Sequence, residues 1–278
     1  MSERTEESVG YFLGRDFSAS IRLYFQYWMW RRQLGYLLNP LIPLTDDMKV
    51  ADIACGTGIW LIDLAKEAPH VQCDGFDISD AQFPHRNWIP RNVTLDTLDV
   101  LKPVPESLQG KYDVVHVGLV VLVVENGDPL PLLDNLLTLL KPGGYLQWEE
   151  ADFGGIYSQS PGENVSCTAI ERLRSKLQSL TLASGGNRYS WVRHLKERYE
   201  ARQLAVLDNK ILPISDDIAL PWTLTHLMAT VELIKHIDNP TGSATDWWKA
   251  YEEAAEEVQR GASIRMAMIS VIGRKPLI

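Results

Sequence analysis

The sequence predicts an α/β protein: a seven-stranded, mostly parallel sheet with helical lid insertions. Two observations carry that expectation. The first is a nucleotide-binding βαβ unit, in which the apolar run Val50-Ala51-Asp52-Ile53-Ala54 enters the turn Cys55-Gly56-Thr57-Gly58. A helical pattern follows, and a second apolar run closes on Phe76-Asp77-Ile78-Ser79. The second is the stretch 114–124, apolar apart from His116 and Gly118. It suits a strand buried on both faces, together with its exit, and is far shorter than the ~20 residues that span a bilayer.

The elements follow in order. Residues 1–15 look loosely attached. A helical and unusually aromatic pattern over 18–38 ends at Asn39-Pro40, because a proline cannot continue a helix. Together, residues 1–45 form an N-terminal helical cap, and residues 46–278 form the main domain. Strands are expected at 49–54, 71–77, 93–98, 112–117 and 144–150, with helices at 60–67 and 131–140. Beyond these lie an amphipathic helix at 164–183, a turn at 184–187, a helix at 191–201 and a sixth strand at 204–212. Two helices at 217–237 and 245–260 flank a break at 238–242, and alternation over 265–273 reads as a seventh strand returning antiparallel. The insertions at about 160–187 and 215–262 could roof the substrate site. Glu252, Glu253, Glu256 and Glu257 read as the wet face of the last helix.

Composition narrows the function. The chain has 278 residues, 45% of them hydrophobic, and a net charge of −9. An acidic protein is poorly suited to displacing counterions from a phosphate backbone, so no nucleic-acid partner is expected. No leader-like apolar core or membrane span is legible, and a soluble, cytoplasmic protein is expected. The three cysteines, Cys55, Cys73 and Cys167, have spacings that suit neither a disulfide framework nor a zinc site, so no metal is expected.

What the glycine turn lacks limits its ligand. No Lys follows Gly58, as a phosphate-binding loop requires, and the third glycine of a dinucleotide fingerprint is replaced by Leu61. The loop therefore suits a nucleoside without a phosphate. Asp77 follows Gly58 at roughly the 20-residue offset where an acid takes a ribose.

These residues resemble the class I S-adenosylmethionine-dependent methyltransferases, a Rossmann-like family. The stretch Asp52-Ile53-Ala54-Cys55-Gly56-Thr57-Gly58 is similar to the family's glycine motif, with Ala54 in place of its first glycine. Leu98-Asp99-Val100, residues 111–117 and Leu140-Lys141-Pro142-Gly143-Gly144 resemble further family motifs, all in the family's order across roughly 45–155. Finer likeness points to fungal secondary-metabolite methyltransferases, a group that includes a methyltransferase-like global regulator. It rests on Ile21 to Gln26, on Gly58-Ile59-Trp60 and on Gln147-Trp148-Glu149-Glu150.

The resemblance implies S-adenosyl-L-methionine as cofactor. Asp52, Ala54, Gly56 and Gly58 would admit its backbone; Asp77 and Ile78 would hold the ribose; Asp99 and Val100 would orient adenine. Val117 and Gly118 would border the sulfonium, with Tyr24 and Gln26 nearby. Methyl transfer needs alignment more than an obligatory acid or base. As catalytic candidates, His116 lies near the end of the fourth strand and Glu150 leaves the fifth, beside Glu149 and Asp152. Tyr27, Trp28 and His226 are candidates for the acceptor pocket. Relatives often carry Gln-His where this chain has Gln26-Tyr27, and Arg where it has Gly118.

The expected function is methylation, most readily at oxygen, of a small and fairly apolar acceptor. Two other readings stay open: a methyltransferase fold that cyclises or dehydrates a polyketide or terpenoid, and a non-catalytic regulatory protein. A homodimer also stays open.

Overall fold

A computed structural model of the chain describes residues 13–181, 188–236 and 244–278. Residues 1–12, the turn expected over 184–187 and the helix break expected over 238–242 fall outside the described residues.

Helix α1, Phe17–Leu34, starts where the Asp16 carboxylate accepts the Ala19 N–H at 2.9 Å. It stops at Gly35, whose left-handed backbone (φ 80°) lets its N–H bond back to the Arg31 carbonyl. The expected end at Asn39-Pro40 is corrected accordingly, because the glycine cap acts before the proline is reached. The chain then turns to bury Leu37, Leu38 and Ile42. Buried Gln147 fastens this segment, donating to the Leu37 carbonyl and accepting the Asn39 N–H at 2.7 and 2.8 Å.

Strands β1 (Lys49–Ile53), β2 (Gln72–Asp77), β3 (Val93–Thr97), β4 (Tyr112–Gly118) and β5 (Leu140–Ala151) are parallel. Helix α2 (Ile59–Glu67) joins β1 to β2, and α3 (Leu130–Leu139) leads into β5. With β7 (Ala205–Pro213) and β9 (Ala267–Arg274) they form one seven-stranded sheet in the order β3-β2-β1-β4-β5-β9-β7. β9 runs antiparallel to both of its neighbours. The Rossmann-like, mostly parallel sheet therefore stands as expected.

Each face of the sheet buries its own layer. On one side Leu132, Leu133, Leu136 and Leu139 of α3, at helical spacing, pack with Trp148, Trp191 and Tyr199, the last from α5 (Leu195–Ala201). On the other, Trp60, Leu61 and Leu64 of α2 pack with Val50, Val114 and Tyr145.

A third core lies above the sheet. In α7 (Ala244–Gln259), Trp247, Ala250, Ala254 and Val258 form one stripe. The stripe packs on Ala169, Ile170 and Leu173 of α4 (Thr168–Thr181) and on Leu227 and Ile234 of α6 (Asp216–His236). Full burial of a side chain such as Leu is worth about 1.5–3 kcal/mol, so these helices carry a core of their own. A separate contact ties α6 to α1, with the Trp30 and Trp222 rings 5.7 Å apart.

Two features differ from expectation. β6 (Tyr157–Gln159) and β8 (Ser263–Arg265) form a two-stranded ribbon, and such short strands cannot show a period in sequence. Glu257, expected on the wet face of α7, is buried and accepts the Ile170 N–H at 3.0 Å. It answers one of the backbone donors that the first turn of α4 leaves open. Among the described residues, no helix is long and apolar enough to cross a membrane.

Candidate functional site

A cavity of about 690 Å³ opens over the carboxyl ends of β1, β2, β4 and β5. Open α/β sheets hold their ligands at this edge. Helices α1, α4 and α6 contribute much of the remaining wall. It gathers Asp52, Ala54, Gly56, Asp77, Ile78, Asp99, Val100, His116, Gly118, Tyr27, Gln26 and His226 from separate elements and loops of the chain.

At one end lies the glycine turn. Ala54 (φ 56°) and Gly56 (φ 54°) both have left-handed backbones. A Cβ on Gly56 would stand 3.1 Å from a Leu23 methyl, so the bare backbone faces the cavity under α1. The Gly56 N–H donates to Asp77 at 2.9 Å and the Ser79 N–H donates to the same carboxylate at 3.2 Å. Burial nonetheless pushes the Asp77 carboxyl above its ordinary range. The Thr57 hydroxyl is buried and has no hydrogen-bond partner among the described residues. Asp99 accepts the Leu101 N–H at 3.1 Å and pairs with Lys102 at 3.2 Å.

The middle of the floor is ionic. Nδ1 of His116 meets Asp52 Oδ1 at 2.7 Å, and Nε2 lies 3.6 Å from Glu149 Oε2. The Trp60 ring stacks on the imidazole at 3.9 Å between centroids. Burial alone would lower the basicity of His116, but Asp52 and then Glu149 outweigh it, and the group is pushed up to about 9. An imidazolium thus sits between two carboxylates. Just beyond it, Leu119 carries a left-handed backbone with φ 59°. Strain of this kind collects at functional sites.

The far end is the roof. Nδ1 of His226 lies 3.0 Å from the Trp222 carbonyl one turn back; a carbonyl only accepts, so Nδ1 carries the proton. Burial, and then the charge of Arg174, push His226 down to about 4 and keep the ring neutral. Its edge meets Trp222 and Phe153 at 5.2 and 5.8 Å between ring centroids. Arg174 itself donates to the Ile156 carbonyl and the Ser158 hydroxyl.

Five expected residues lie elsewhere. Glu150 points to the opposite face of β5 from Glu149, where it accepts the Val120 and Ala151 N–H groups and the Trp148 indole. Strand alternation separates the neighbours, and it is Glu149 that shares the His116 face. Val117 is turned by the same alternation into the core with Val115. Tyr24 and Trp28 lie half exposed on α1 away from the cavity, Trp28 stacking on Phe25. Gly58 begins α2 off the cavity wall, where a Cβ would press Leu95 at 3.0 Å. Tyr27 does reach the cavity, yet its hydroxyl donates to Asp63 at 2.7 Å.

Other lining residues carried no signal in sequence. Trp222 of α6, Phe153 just beyond β5 and Tyr189 just before α5 come together there from distant parts of the chain. Arg22 of α1 forms a buried bidentate pair with Glu232 of α6, at 2.7 and 3.1 Å, and lines the cavity between them.

Comparison with known proteins identifies the family. A family model described as a methyltransferase domain matches residues 25–208. The methyltransferase grgD of a Penicillium species is 40% identical over 178 residues, which is 59% of this chain and 60% of that protein. The N-methyltransferase verN of Clonostachys rogersoniana is 34% identical over 128 residues, 45% of this chain and 42% of that one. The matches thus span about half the length of these relatives. Among solved structures, a phosphoethanolamine N-methyltransferase of Haemonchus contortus, in complex with phosphomonomethylethanolamine and S-adenosylhomocysteine, aligns over 98% of this chain and 59% of that one. Its TM-score is 0.52 at 13% identity, a likeness of fold.

Proposed function

The chain belongs to the methyltransferase-domain family, and from that premise we propose that it transfers the methyl group of S-adenosyl-L-methionine to a small, fairly apolar acceptor. Oxygen is the first expected target. Nitrogen stands beside it, because verN is named an N-methyltransferase. The observation that carries the reading is the two-ended cavity. One end has an acid, an exposed glycine backbone and an orphaned hydroxyl, and the other has a roof of apolar and aromatic side chains.

The residues present fit the cofactor. Asp77 would accept the ribose hydroxyls, in the manner of the acid that follows such loops. Gly56 would let the ligand lie against backbone, Thr57 would find its missing partner, and Asp99 with Val100 would border adenine. When bound, S-adenosyl-L-methionine supplies an electrophilic methyl group on a sulfonium. The Asp52–His116–Glu149 set, with two carboxylates around one imidazolium, suits a neighbouring cation. Gly118 leaves room beside it: the nearest atoms to a Cβ there would be His116 Cε1 at 3.5 Å and the Glu149 carbonyl at 3.7 Å. The lid would exclude water and orient the acceptor, and such alignment supplies up to about 7–11 kcal/mol of a displacement barrier.

The test is calorimetric titration of the wild type and of Asp77→Ala with S-adenosylhomocysteine. Micromolar binding by the wild type and a loss of at least about 100-fold in the variant are expected, as for a ligand losing a bidentate charged partner. No binding by the wild type overturns the reading. Acceptors are then screened by mass for the gain of one methylene.

A further inference from the structure

The roof of the cavity contains a hydrogen-bond acceptor with nothing to accept. The Nδ1–H of His226 is turned back on its own helix at Trp222, so Nε2, at the outer edge of the ring, extends away from the α6 backbone. His226 lines the cavity, and its Nε2 is buried with no hydrogen-bond partner among the described residues. The neighbouring hydroxyls of α6 are satisfied. The Thr225 hydroxyl donates to the Pro221 carbonyl at 3.0 Å and the Thr230 hydroxyl to the His226 carbonyl at 2.8 Å. A buried acceptor left unpaired costs about 1–3 kcal/mol, which a ligand donor would recover.

Its surroundings say what the donor is attached to. Phe153, from just beyond β5, and Trp222 hold the ring edge-on, and Leu119, just beyond β4, packs in the same cluster as Trp222. Ile156, Ile170, Leu173 and Leu227 extend the wall away from the glycine turn. The imidazole therefore sits in the cavity wall among aromatic and aliphatic side chains. Burial and the nearby cation Arg174 keep the imidazole neutral, so Nε2 retains a lone pair that can accept a hydrogen bond.

We propose that Nε2 of His226 accepts a hydrogen bond from the hydroxyl or N–H group of the methyl acceptor, so that the site selects a proton-bearing heteroatom on an otherwise apolar, ring-sized body. This rests on the methyl-transfer reading above and narrows its substrate class. It also orients the nucleophile: a heteroatom whose hydrogen is held at the roof presents its lone pairs toward the floor.

The experiment compares 1-naphthol with 1-methoxynaphthalene, two bodies of similar shape that differ in the donor, against protein saturated with S-adenosylhomocysteine. The wild type is expected to bind the naphthol about 10-fold more tightly, the value of one satisfied buried hydrogen bond. His226→Phe should abolish the preference. His226→Gln, whose amide oxygen can still accept, should keep most of it. In the wild type labelled with nitrogen-15, the Nε2 resonance should move with naphthol and stay in place with its ether, a readout that needs no variant to fold. Absence of naphthol binding, no preference in the wild type, an unmoved Nε2 resonance, or a preference that survives in His226→Phe overturns the inference. If the wild type fails to bind S-adenosylhomocysteine at all, it is the methyl-transfer reading that falls. Binding of that ligand without the naphthol preference removes only the role of His226.

Discussion

His116 and Asp52 are registered partners on the adjacent parallel strands β4 and β1, and their side chains meet at 2.7 Å with both buried. The contact joins the first acid of the glycine motif to the fourth strand. It turns two residues 64 positions apart into one charged unit beneath the cavity.

That unit imposes a pH dependence on stability. Burial opposes protonation of His116, and Asp52 and Glu149 overcome it, so the folded value of about 9 lies above the ordinary 6.5. The stabilisation from this pair is complete below about pH 6.5 and is lost as the pH rises through about 9. The wild-type melting temperature should fall between about pH 6 and about pH 10 by more than that of Asp52→Asn. Equal falls in the two proteins would show that the pair does not titrate in this way.

Ala54 and Gly56 adopt the same left-handed conformation two positions apart, so exchanging their types should have opposite effects. Ala54→Gly removes the Cβ that makes the positive φ costly and should stabilise by up to about 1 kcal/mol. Gly56→Ala adds that cost and sets a Cβ 3.1 Å from Leu23. It should destabilise by about 1–3 kcal/mol. It should also weaken binding of S-adenosylhomocysteine. Denaturant titration of both variants decides this, and a stable Gly56→Ala protein with unchanged affinity would count against the backbone reading of the turn.

The pair Arg22–Glu232 is a buried ionic link between α1 and α6. Arg22→Met takes the bidentate cation from a buried carboxylate and should cost about 3–5 kcal/mol. The double variant Arg22→Met/Glu232→Leu should be more stable than the sum of the two singles, with a coupling of about 1–3 kcal/mol. Additive losses in a double-mutant cycle would mean that the two charges act independently.

Glu257 caps α4 from another helix. Glu257→Ala should destabilise by about 1–2 kcal/mol, the usual value of a lost cap. It should also increase proteolysis within 168–181 while leaving S-adenosylhomocysteine affinity unchanged. A cleavage pattern identical to that of the wild type would remove Glu257 from this role.

The glycine turn was legible because its geometry is local. Gly56 and Gly58 stand where φ is positive, and Asp77 ends the next strand at the spacing such a turn needs. The strands of the sheet were legible for the same reason, since alternation and apolar runs act over a few residues. The ends of α1 and β5 were less so. At Gly35 a glycine cap acted before the proline, and Leu140 entered the sheet by pairing with Tyr112 ahead of the Gly143 turn.

Side-chain direction was another matter. Alternation says that Glu149 and Glu150 face opposite ways, but only the pairing of Gly118 with Glu149 decides which one shares the face of His116. Aromatic residues at helical spacing in α1 looked equivalent, yet Trp30 packs on Trp222 while Tyr24 and Trp28 face outward. Glu257 read as solvated until α4 set its first turn against it.

The sequence by itself determined the α/β sheet, the glycine turn with the acid that follows it, and the family to which the chain belongs, because each is written in short runs of consecutive residues. Only the tertiary structure decided that His116 is held between Asp52 and Glu149, that Arg22 meets Glu232, and that His226 lines the cavity with its Nε2 unpartnered among the described residues. The first two join elements far apart in the chain, Arg22 and Glu232 by 210 positions. Their geometry depends on strand register and on the rotation of each helix about its axis, and no local pattern encodes either.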